Sequence, residues 1–462
     1  MKLNFFNFKQ IGDEILLTND FGKFLFVSKE DFKKILKKNI DIDEELGRKL
    51  LQTKMIYLES DLEFSSKNKY EMRDIKSHLN TATALHIFVV TTKCNMKCVY
   101  CQANNGRDNS HLVMNKEIAK KSIDIALQSP QRSLSFEFQG GEPLINFDII
   151  KYMVKYTEEN KGERIIEYNI VTNLTLLTEE IISFFKEYNF GVSTSVDGFE
   201  DLHDANRPFL DGKGTYSIVL ESIKKLREKD IHVGAIETTT SLTLKSPKHV
   251  VRAYAEMGFD TIFLRPLTQL GRATINWDEI GYSAEAFVDF YIKAMDELLE
   301  LKRTGFFVKE AHATILLKRI FGDAVNYMEL RSPCGAATGQ LAYYADGNVF
   351  TCDEARMLYE MGDDAFYLGN VFNDSYKDLM SGGVCKTVCA SSILETIPTC
   401  CDCVYQPYCG TCPVVNYASN RDVIEKKPRG YRCKIYSGIL DYIFEVLKRD
   451  NEDKDVFMKW IN

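Results

Sequence analysis

The chain has 462 residues, of which 45% are apolar and 27% are charged, as in a folded globular protein of about two to four domains. Its net charge of −8 disfavours a nucleic-acid substrate, because phosphate backbones attract basic proteins. No apolar run approaches the ~20 residues of a membrane-spanning helix, and the first residues lack the features of a secretory signal. We therefore expect a cytosolic (cytoplasmic) protein without a membrane partner.

Residues 1–75 are expected to form a small α+β module of the winged-helix kind. Apolar segments predict two strands, Glu14–Thr18 and Lys23–Val27. Ser28 would cap a first helix, because serine is a preferred N-cap residue, and Glu44–Thr53 would form a second. The charged stretch Lys67–Lys76 is predicted to be a linker to the next domain.

Residues 84–305 alternate strand and helix patterns. Apolar runs predict six strands: His86–Thr92, Leu134–Phe138, Glu167–Thr172, Gly191–Val196, His232–Thr239 and Thr261–Leu264. Amphipathic helices lie between them, and a long helix at Ala284–Arg303 follows the last strand. This alternation predicts an α/β fold with a parallel sheet, either open or rolled into a barrel. Ligands of such sheets bind at the C-terminal ends of the strands.

Thirteen cysteines fall into two regions of the chain. Three lie at 94–101, none occurs from 102 to 333, and ten lie between 334 and 433, ahead of a last predicted helix at Ser437–Arg449. A reducing compartment does not sustain disulfide frameworks, so clustered cysteines there indicate metal binding or catalysis. The distribution predicts two separate metal regions.

The first cysteine group, Cys94-x3-Cys98-x2-Cys101, follows directly on the first strand of the βα series. Three thiolates on one short loop can hold three irons of a [4Fe–4S] cube and leave the fourth iron without a protein ligand. An open position distinguishes catalytic metal sites from closed structural ones. The alternative is a structural or zinc site, which would need a fourth ligand that the loop does not obviously offer.

Small or polar residues follow the C-terminal ends of four further predicted strands. They are Gly140-Gly141-Glu142-Pro143, Thr172-Asn173, Ser195 with Asp197, and Arg265. Two glycines allow backbone to approach a ligand closely, and a following glutamate can accept a hydrogen bond from an ammonium group. Ordinary polar strand ends are the alternative for the other three groups. His203 and Arg207 are either functional or members of a structural salt bridge.

CxxxCxxC after the first strand, with an aromatic residue just before its last cysteine, resembles the radical S-adenosylmethionine (SAM) superfamily. The resemblance implies a partial (β/α)6 TIM-like barrel in which Cys94, Cys98 and Cys101 ligate a [4Fe–4S] cluster. Its open iron would chelate the methionine moiety of SAM, and reductive cleavage would yield a 5′-deoxyadenosyl radical. The resemblance also implies the SAM contacts: Tyr100 to adenine, Gly140, Gly141, Glu142 and Pro143 to the amino group, and Thr172, Asn173, Ser195, Asp197 and Arg265 to the remainder.

The second cysteine region resembles the SPASM extension of radical SAM peptide maturases. Its pattern is Cys334, Gly347-x4-Cys352, Cys400-x2-Cys403-x5-Cys409-x2-Cys412 and Cys433, where the extension has x3 before the fourth cysteine of the block. The resemblance implies an auxiliary domain at 306–462 with two [4Fe–4S] clusters. One cluster would be held by Cys400, Cys403, Cys409 and Cys433, and the other by Cys334, Cys352 and Cys412. The fourth ligand of the latter stays open: Cys385, Cys389, Cys401, a substrate atom or none. Two zinc ribbons are the rival interpretation, since C-x2-C pairs are common to both.

Asp353 follows Cys352 immediately. In sulfatase-maturing relatives an aspartate at this place acts as general base on the substrate, and the resemblance implies the same role here. Glu354 and Arg356 would compete for the role or pair with Asp353. A helix-capping or surface carboxylate is the alternative.

The expected function is modification of a ribosomally made precursor peptide. Residues 1–75 would capture its leader at a sheet edge, and an external donor of the flavodoxin or ferredoxin type would supply electrons. Three segments resemble maturases of His-Xaa-Ser repeat systems: Leu85–Thr91, Phe138–Pro143 and Asp353–Leu358. Oxidative crosslinking (thioether, ether or carbon–carbon) is the leading reaction. The alternatives are a radical SAM enzyme acting on RNA or a small metabolite, sulfatase-maturase-like oxidation of a protein residue, and a non-catalytic zinc or electron-transfer protein.

Overall fold

The computed structural model describes residues 1–60, 63–104, 112–322, 327–425, 430–449 and 452–461. Its centre is a ten-stranded sheet in which parallel strands predominate. A three-stranded antiparallel sheet and a two-stranded pair lie in the N-terminal region. Among the described helices, none has the length and apolarity needed to cross a bilayer.

The N-terminal region combines short strands with three helices. Its elements are β1 (Lys2–Leu3), β2 (Asn7–Ile11), β3 (Glu14–Thr18), β4 (Phe24–Val27), α1 (Lys29–Leu36), α2 (Glu45–Gln52), β5 (Ile56–Tyr57) and α3 (Phe64–Ile75). β2, β3 and β4 form an antiparallel meander, and β1 pairs with β5. The Ser28 side chain accepts a hydrogen bond from the Asp31 amide, so the predicted cap is confirmed.

Two N-terminal features differ from the sequence prediction. The predicted linker at Lys67–Lys76 is wrong, because residues 67–75 belong to α3 and Lys76 is its C-cap. The Phe64 ring of this helix stacks on Tyr57 with centroids 4.7 Å apart. The charges form the solvated face of this helix. Strand β2 was not predicted, because it buries Asn7 and exposes 55% of Phe8, the reverse of the pattern that apolar alternation indicates.

The central region is the predicted βα series. Its elements are β6 (Leu85–Thr91), α4 (Lys116–Ala126), β7 (Ser133–Gly140), α5 (Phe147–Asn160), β8 (Ile165–Val171), α6 (Glu179–Glu187), β9 (Gly191–Ser195), α7 (Glu200–Asn206), α8 (Tyr216–Arg227), β10 (Val233–Thr238), α9 (Pro247–Glu256), β11 (Thr261–Arg265), α10 (Arg272–Ile275), α11 (Trp277–Ile280), α12 (Ala284–Arg303), β12 (Lys309–Glu310) and α13 (Ala311–Ile320). β6 to β12 are parallel neighbours in chain order. All their C-terminal ends therefore meet at one edge of the sheet, where the predicted site residues lie.

The C-terminal region continues the same sheet. Its elements are β13 (Gln340–Tyr343), β14 (Asn348–Phe350), α14 (Asp353–Glu360), β15 (Tyr367–Asn370), α15 (Tyr376–Ser381), α16 (Gly383–Ala390), α17 (Pro413–Asn420), α18 (Tyr431–Lys448) and α19 (Glu452–Ile461). β13 pairs in parallel with β6, and β14 and β15 follow as antiparallel strands. The helix predicted at Ser437–Arg449 begins earlier, at Tyr431, and it is not the last, since α19 follows it.

The N-terminal sheet is packed on the C-terminal region. The rings of Phe24 and Phe26 meet Phe444 of α18, with centroids 5.4 and 6.2 Å away. The Thr18 hydroxyl donates to the Val404 carbonyl at 2.6 Å. Both apolar and polar contacts therefore join the N-terminal sheet to the segment that carries the C-x2-C pairs.

Candidate active site

Backbone contacts fix the loop of Cys94, Cys98 and Cys101 against the end of β7. The amide of Gly141 donates to the Thr91 carbonyl and that of Glu142 to the Lys93 carbonyl, each at 2.8 Å. A Cβ atom at Gly140 would lie 2.3 Å from the Thr91 oxygen, and one at Gly141 would lie 2.3 Å from the Lys93 oxygen. The two glycines thus allow close approach of the cysteine loop itself, a reason beyond the ligand approach that the sequence suggested.

The segment after α7 holds the other side of this loop. The amides of Lys97 and Val99 donate to the carbonyls of Pro208 and Asn206, both at 2.9 Å. This explains part of the Leu-His-Asp-Ala-Asn-Arg segment, whose role the sequence left open. It supplies the backbone partner of the loop between Cys94 and Cys101.

A third support comes from residues 271–276, which the sequence analysis missed. The amide of Arg272 donates to the Cys101 carbonyl at 2.8 Å, and the Asn276 side chain donates to the Val99 carbonyl at 2.7 Å. Gly271 has φ +58°, and a Cβ there would lie 2.5 Å from the Cys101 oxygen. In the sequence the one available signal was the glycine at position 271, and glycines are common in ordinary turns.

The three thiols of the loop lie close enough together for their charges to interact. Burial, together with the charges of Cys98 and Cys101, raises the pKa of Cys94 to about 12. Burial also raises the pKa of Cys98 to about 11, against the opposing effect of the Arg207 and Arg272 cations. A metal centre would have to displace protons from these thiols. Clustered thiols with adjacent cations fit an anionic iron–sulfur cube held by three cysteines.

Glu142 is fully buried and joins two strand ends. One carboxylate oxygen accepts from the Thr172 hydroxyl at 2.6 Å and from the Leu144 amide at 3.0 Å, and the other accepts from the Asn173 amide at 2.7 Å. Burial raises its pKa, while these hydrogen bonds oppose the rise. The structure thus brings together the predicted residues of β7 and β8.

Tyr100, Asp197 and Arg207 form a buried network beside the cysteine loop. The Tyr100 hydroxyl lies 2.7 and 2.9 Å from the two Asp197 oxygens, and Nη1 of Arg207 donates to that hydroxyl at 2.7 Å. His203 accepts from the Asp197 amide through Nδ1 at 3.3 Å, and burial lowers its pKa to about 3. Arg207 therefore belongs to the predicted site, as a cation beside both Tyr100 and Cys98.

Two predicted residues lie apart from this network. Ser195 ends β9, two residues before Asp197. Arg265 ends β11, and its Nη2 lies 3.8 Å from Glu329 and 3.9 Å from Glu354. With Gln102 and Cys412, Arg265 lines a small cavity between the end of the cysteine loop and the C-terminal region. Its nearest charged partners thus come from the C-terminal region.

The remaining predicted cysteines form two neighbouring sets. Burial, together with the charges of Cys403, Cys433 and Cys400, raises the pKa of Cys409 to about 12. Cys400, Cys403 and Cys433 are therefore close enough to Cys409 to influence its ionisation. Cys334, Cys352 and Cys412 are instead buried in one apolar cluster of the C-terminal region.

Three cysteines lie outside both sets. Cys385 and Cys389 are one turn apart on α16, and their mutual hydrogen bond lowers the pKa of Cys389 to about 7. Cys401 adjoins Cys400. Among the described residues, no group of three histidine, cysteine or acidic side chains converges on the position of a single ion.

Asp353 is held at the start of α14, with its side chain 16% exposed. One carboxylate oxygen accepts from Nε of Arg356 at 2.7 Å, and Nη2 of Arg356 lies 3.3 Å from the Gln139 oxygen. Gln139 is the residue before Gly140 in β7. Arg356 thus connects Asp353 to the strand that carries the predicted SAM-binding residues, and the sequence named Arg356 only as a possible competitor or partner.

Residues 88–252 match the family model described as the radical SAM superfamily. This region is a radical SAM domain. The match runs from β6 to α9 and includes the cysteine loop, Gly140–Pro143 and the Tyr100 network. A radical SAM domain implies a [4Fe–4S] cluster and SAM, and the clustered thiols of Cys94, Cys98 and Cys101 are consistent with such a cluster.

Two relatives extend the comparison beyond this radical SAM domain. An uncharacterised protein from Methanocaldococcus jannaschii is 34% identical over 176 residues, which is 38% of this chain and 60% of that protein. A cysteine-type anaerobic sulfatase-maturating enzyme from Clostridium novyi is 23% identical over 325 residues, 69% of this chain and 84% of that enzyme. The chain thus spans less than two thirds of the first relative.

Two solved structures share the fold. AnSMEcpe with bound AdoMet has a TM-score of 0.68 and 21% identity, over 82% of this chain and 99% of that one. Streptococcus suis SuiB bound to precursor peptide SuiA has a TM-score of 0.54 and 14% identity, over 90% and 96%. The predicted fold class is confirmed: an α/β fold with a central parallel sheet and a cysteine-rich C-terminal region.

Proposed function

We propose that this chain is a radical SAM maturase with a SPASM-type extension, and that it modifies a ribosomally synthesised precursor peptide. The Asp353–Arg356–Gln139 connection carries the proposal, because it brings a carboxylate next to Cys352 into contact with the strand of the SAM-binding residues. A base of the extension would then face the substrate position of the radical SAM domain. The residues 1–75, 84–305 and 306–462 are proposed as the three functional units.

The proposed reaction is an oxidative crosslink, formed as a thioether, ether or carbon–carbon bond. When bound, the cluster and SAM would supply the 5′-deoxyadenosyl radical, with the electron coming from a flavodoxin or ferredoxin. The peptide would lose one hydrogen atom to that radical, one proton to Asp353 and one electron to an auxiliary cluster. Two hydrogens leave the peptide in total, and one bond forms.

The chain's own residues have distinct parts in this proposal. Cys94, Cys98 and Cys101 would hold the catalytic cluster, and Arg207 would offset negative charge beside Cys98. Asp353 would accept the proton, as a general base positioned by Arg356. Because the guanidinium binds only one of its oxygens at 2.7 Å, the other oxygen remains for a substrate proton.

Residues 1–75 are proposed to capture the leader of the peptide. β3 is the central strand of its meander, so β2 and β4 are edge strands, and an extended peptide can add to such an edge. SuiB in complex with SuiA is a structural neighbour with a bound precursor peptide. The narrower resemblance to His-Xaa-Ser systems remains a prediction, as does the cytoplasmic location.

Co-expression with any short open reading frame found beside this gene tests the proposal. Mass spectrometry of the peptide should find a loss of two hydrogens, and tandem spectra should lack fragments between the linked residues. An unchanged peptide mass would contradict crosslinking and indicate epimerisation or no reaction. Failure of the full chain to bind any neighbouring peptide would favour a non-peptide substrate.

Sulfatase-maturase-like oxidation is a second candidate, favoured by the likeness to the Clostridium novyi enzyme over 69% of the chain. It would change one residue and leave fragmentation on both sides of it intact. Tandem spectra therefore separate the two reactions. Anaerobic reconstitution tests both against a non-catalytic protein: about four irons per cluster are expected, whereas zinc without iron would contradict either reaction.

A further inference from the structure

Glu137 is an acidic residue of β7 to which the proposed reaction assigns no part. Side chains alternate between the two faces of a strand, and those of Phe136 and Phe138 are fully buried in the large apolar core. Glu137 and Gln139 therefore lie together on the opposite face of β7, where both are only partly buried. This face carries polar side chains just before the strand reaches Gly140.

Glu137 begins a chain of three hydrogen bonds that ends at Asp353. Its Oε1 accepts from Nε2 of Gln139. Oε1 of Gln139 accepts from Nη2 of Arg356 at 3.3 Å, and Nε of Arg356 donates to Oδ1 of Asp353 at 2.7 Å. An acid, an amide, a cation and a second acid thus follow one another, and every donor in the chain faces an acceptor.

The side-chain amide of Gln139 is the link whose orientation matters. It has an acceptor end and a donor end, whereas the guanidinium of Arg356 has donors only. A half-turn of the amide would therefore place its NH2 group against another donor. The carboxyl oxygen of Glu137 opposes this turn, because it holds the NH2 group on its own side. That oxygen can accept in both protonation states of the acid, so the effect does not require a charge.

The orientation of Gln139 is passed on to Asp353 by Arg356. The guanidinium is planar and its donors form a rigid fork, so its hydrogen bonds to Gln139 and Asp353 are coupled. Arg356 is also buried, and a buried donor without an acceptor is costly. Loss of the acceptor on Gln139 would therefore favour another orientation of the guanidinium, and the Asp353 carboxylate would move with it.

We propose that Glu137 is a positioning residue for Asp353, acting as a hydrogen-bond acceptor through Gln139 and Arg356. This inference rests on the proposed function, since it needs Asp353 as the general base. Displacing a catalytic group by about 1 Å can cost about 100-fold in rate. Glu137 would thus control product formation, while SAM cleavage at the loop of Cys94, Cys98 and Cys101 would not depend on it.

The test compares Glu137→Leu with Glu137→Gln in the full-length reconstituted enzyme, using the synthetic peptide that co-expression identifies as the substrate. Leucine has no acceptor, so product formation should fall about 10- to 100-fold, mainly in kcat. Glutamine keeps an acceptor oxygen and should stay within about threefold of the parent. Both variants should form 5′-deoxyadenosine at the parent rate. Glu167→Leu, at an exposed position of the neighbouring strand β8, is the matched control and should leave both rates unchanged.

A double-mutant cycle with Asp353→Asn separates positioning from a general structural effect. If Glu137 acts through Asp353, Glu137→Leu should lower product formation no further in the Asp353→Asn background. Additive losses, an equal loss in Glu137→Gln or an unchanged rate in Glu137→Leu would each overturn the assignment of Glu137.

Two further outcomes are decisive. Glu137→Ala removes the acceptor without adding bulk and replaces Glu137→Leu if the leucine variant loses its iron. Loss of 5′-deoxyadenosine formation in both variants would overturn the assignment, because Glu137 would then act on the radical SAM domain itself. Full product formation by Asp353→Asn alone would instead refute the base of the proposed function, whatever the Glu137 variants do.

Discussion

The loop of Cys94, Cys98 and Cys101 and the set of Cys400, Cys403, Cys409 and Cys433 are built in different ways. Cys94, Cys98 and Cys101 lie on one short loop, and backbone hydrogen bonds from three segments hold it. Cys400 and Cys433 lie on separate segments, an irregular stretch and the first turn of α18. The comparison teaches that the first set depends on a single loop held by distant segments, whereas the second set itself joins segments that are far apart in the chain.

Replacing Cys98 by alanine should have the largest effect. Two thiolates cannot hold three corners of the cube, so formation of 5′-deoxyadenosine should fall to background. Anaerobic assay by liquid chromatography measures this, with Cys385→Ala as the control that keeps cleavage. Substantial cleavage by Cys98→Ala would mean that the loop is not the catalytic site.

Asp353→Asn should distinguish SAM cleavage, which depends on the loop of Cys94, Cys98 and Cys101, from product formation, which also depends on the C-terminal region. SAM cleavage depends on the loop and should stay within about twofold, while modified peptide should fall about 100- to 10,000-fold through loss of the base. Parallel quantification of 5′-deoxyadenosine and product peptide gives the ratio. Full product formation by this variant would refute the role of Asp353.

Gly141→Ala tests whether close backbone contacts fix the shape of the loop of Cys94, Cys98 and Cys101. The new methyl group would lie 2.3 Å from the Lys93 carbonyl oxygen, so the loop must shift. We expect a destabilisation of about 1–3 kcal/mol, measured by thermal unfolding, and a matching loss of loop-bound iron. Gly383→Ala is the control, since its methyl group would meet open space. Equal thermal stability and equal iron content in the two variants would contradict the idea that these backbone contacts hold the loop.

Cys433→Ala should have the smallest and most local effect. The main-chain carbonyls of Cys401 and Cys403 accept from the Asn7 side chain, so a loosened cysteine segment should loosen β2. Hydrogen exchange of β2 to β4 should accelerate, while β6 to β9 remain protected. Unchanged exchange in β2 would show that this segment keeps its shape without the fourth sulfur.

Elements that depend on neighbouring residues were predicted from the sequence, whereas contacts between segments far apart in the chain were not. Helix Ala284–Arg303 was predicted at its observed bounds, since its apolar spacing is intrinsic to the segment. The supports of the cysteine loop at 206–208 and 271–276 were not predicted, because they contact it through main-chain atoms far apart in the chain. Backbone contacts of this kind leave almost no signature in side-chain pattern.

Long-range contacts also explain the errors at the two ends of the chain. Asn7 is buried because its amide reaches carbonyls of the cysteine-rich segment, so β2 inverts the usual pattern of alternation. The charges at 67–76 suggested a linker, yet Lys54 pairs with Glu71 and fixes α3. In both places a polar residue has a partner that only the folded chain supplies.

The pairing of β13 with β6 has a consequence for how substrate enters and leaves. Units within one chain commonly rotate about a flexible hinge, but here main-chain ladder bonds cross from the radical SAM domain into the cysteine-rich region. These bonds oppose rotation of one region against the other. In the proposed reaction, the peptide substrate and its product would therefore pass through the same gap between the two regions without a hinge motion.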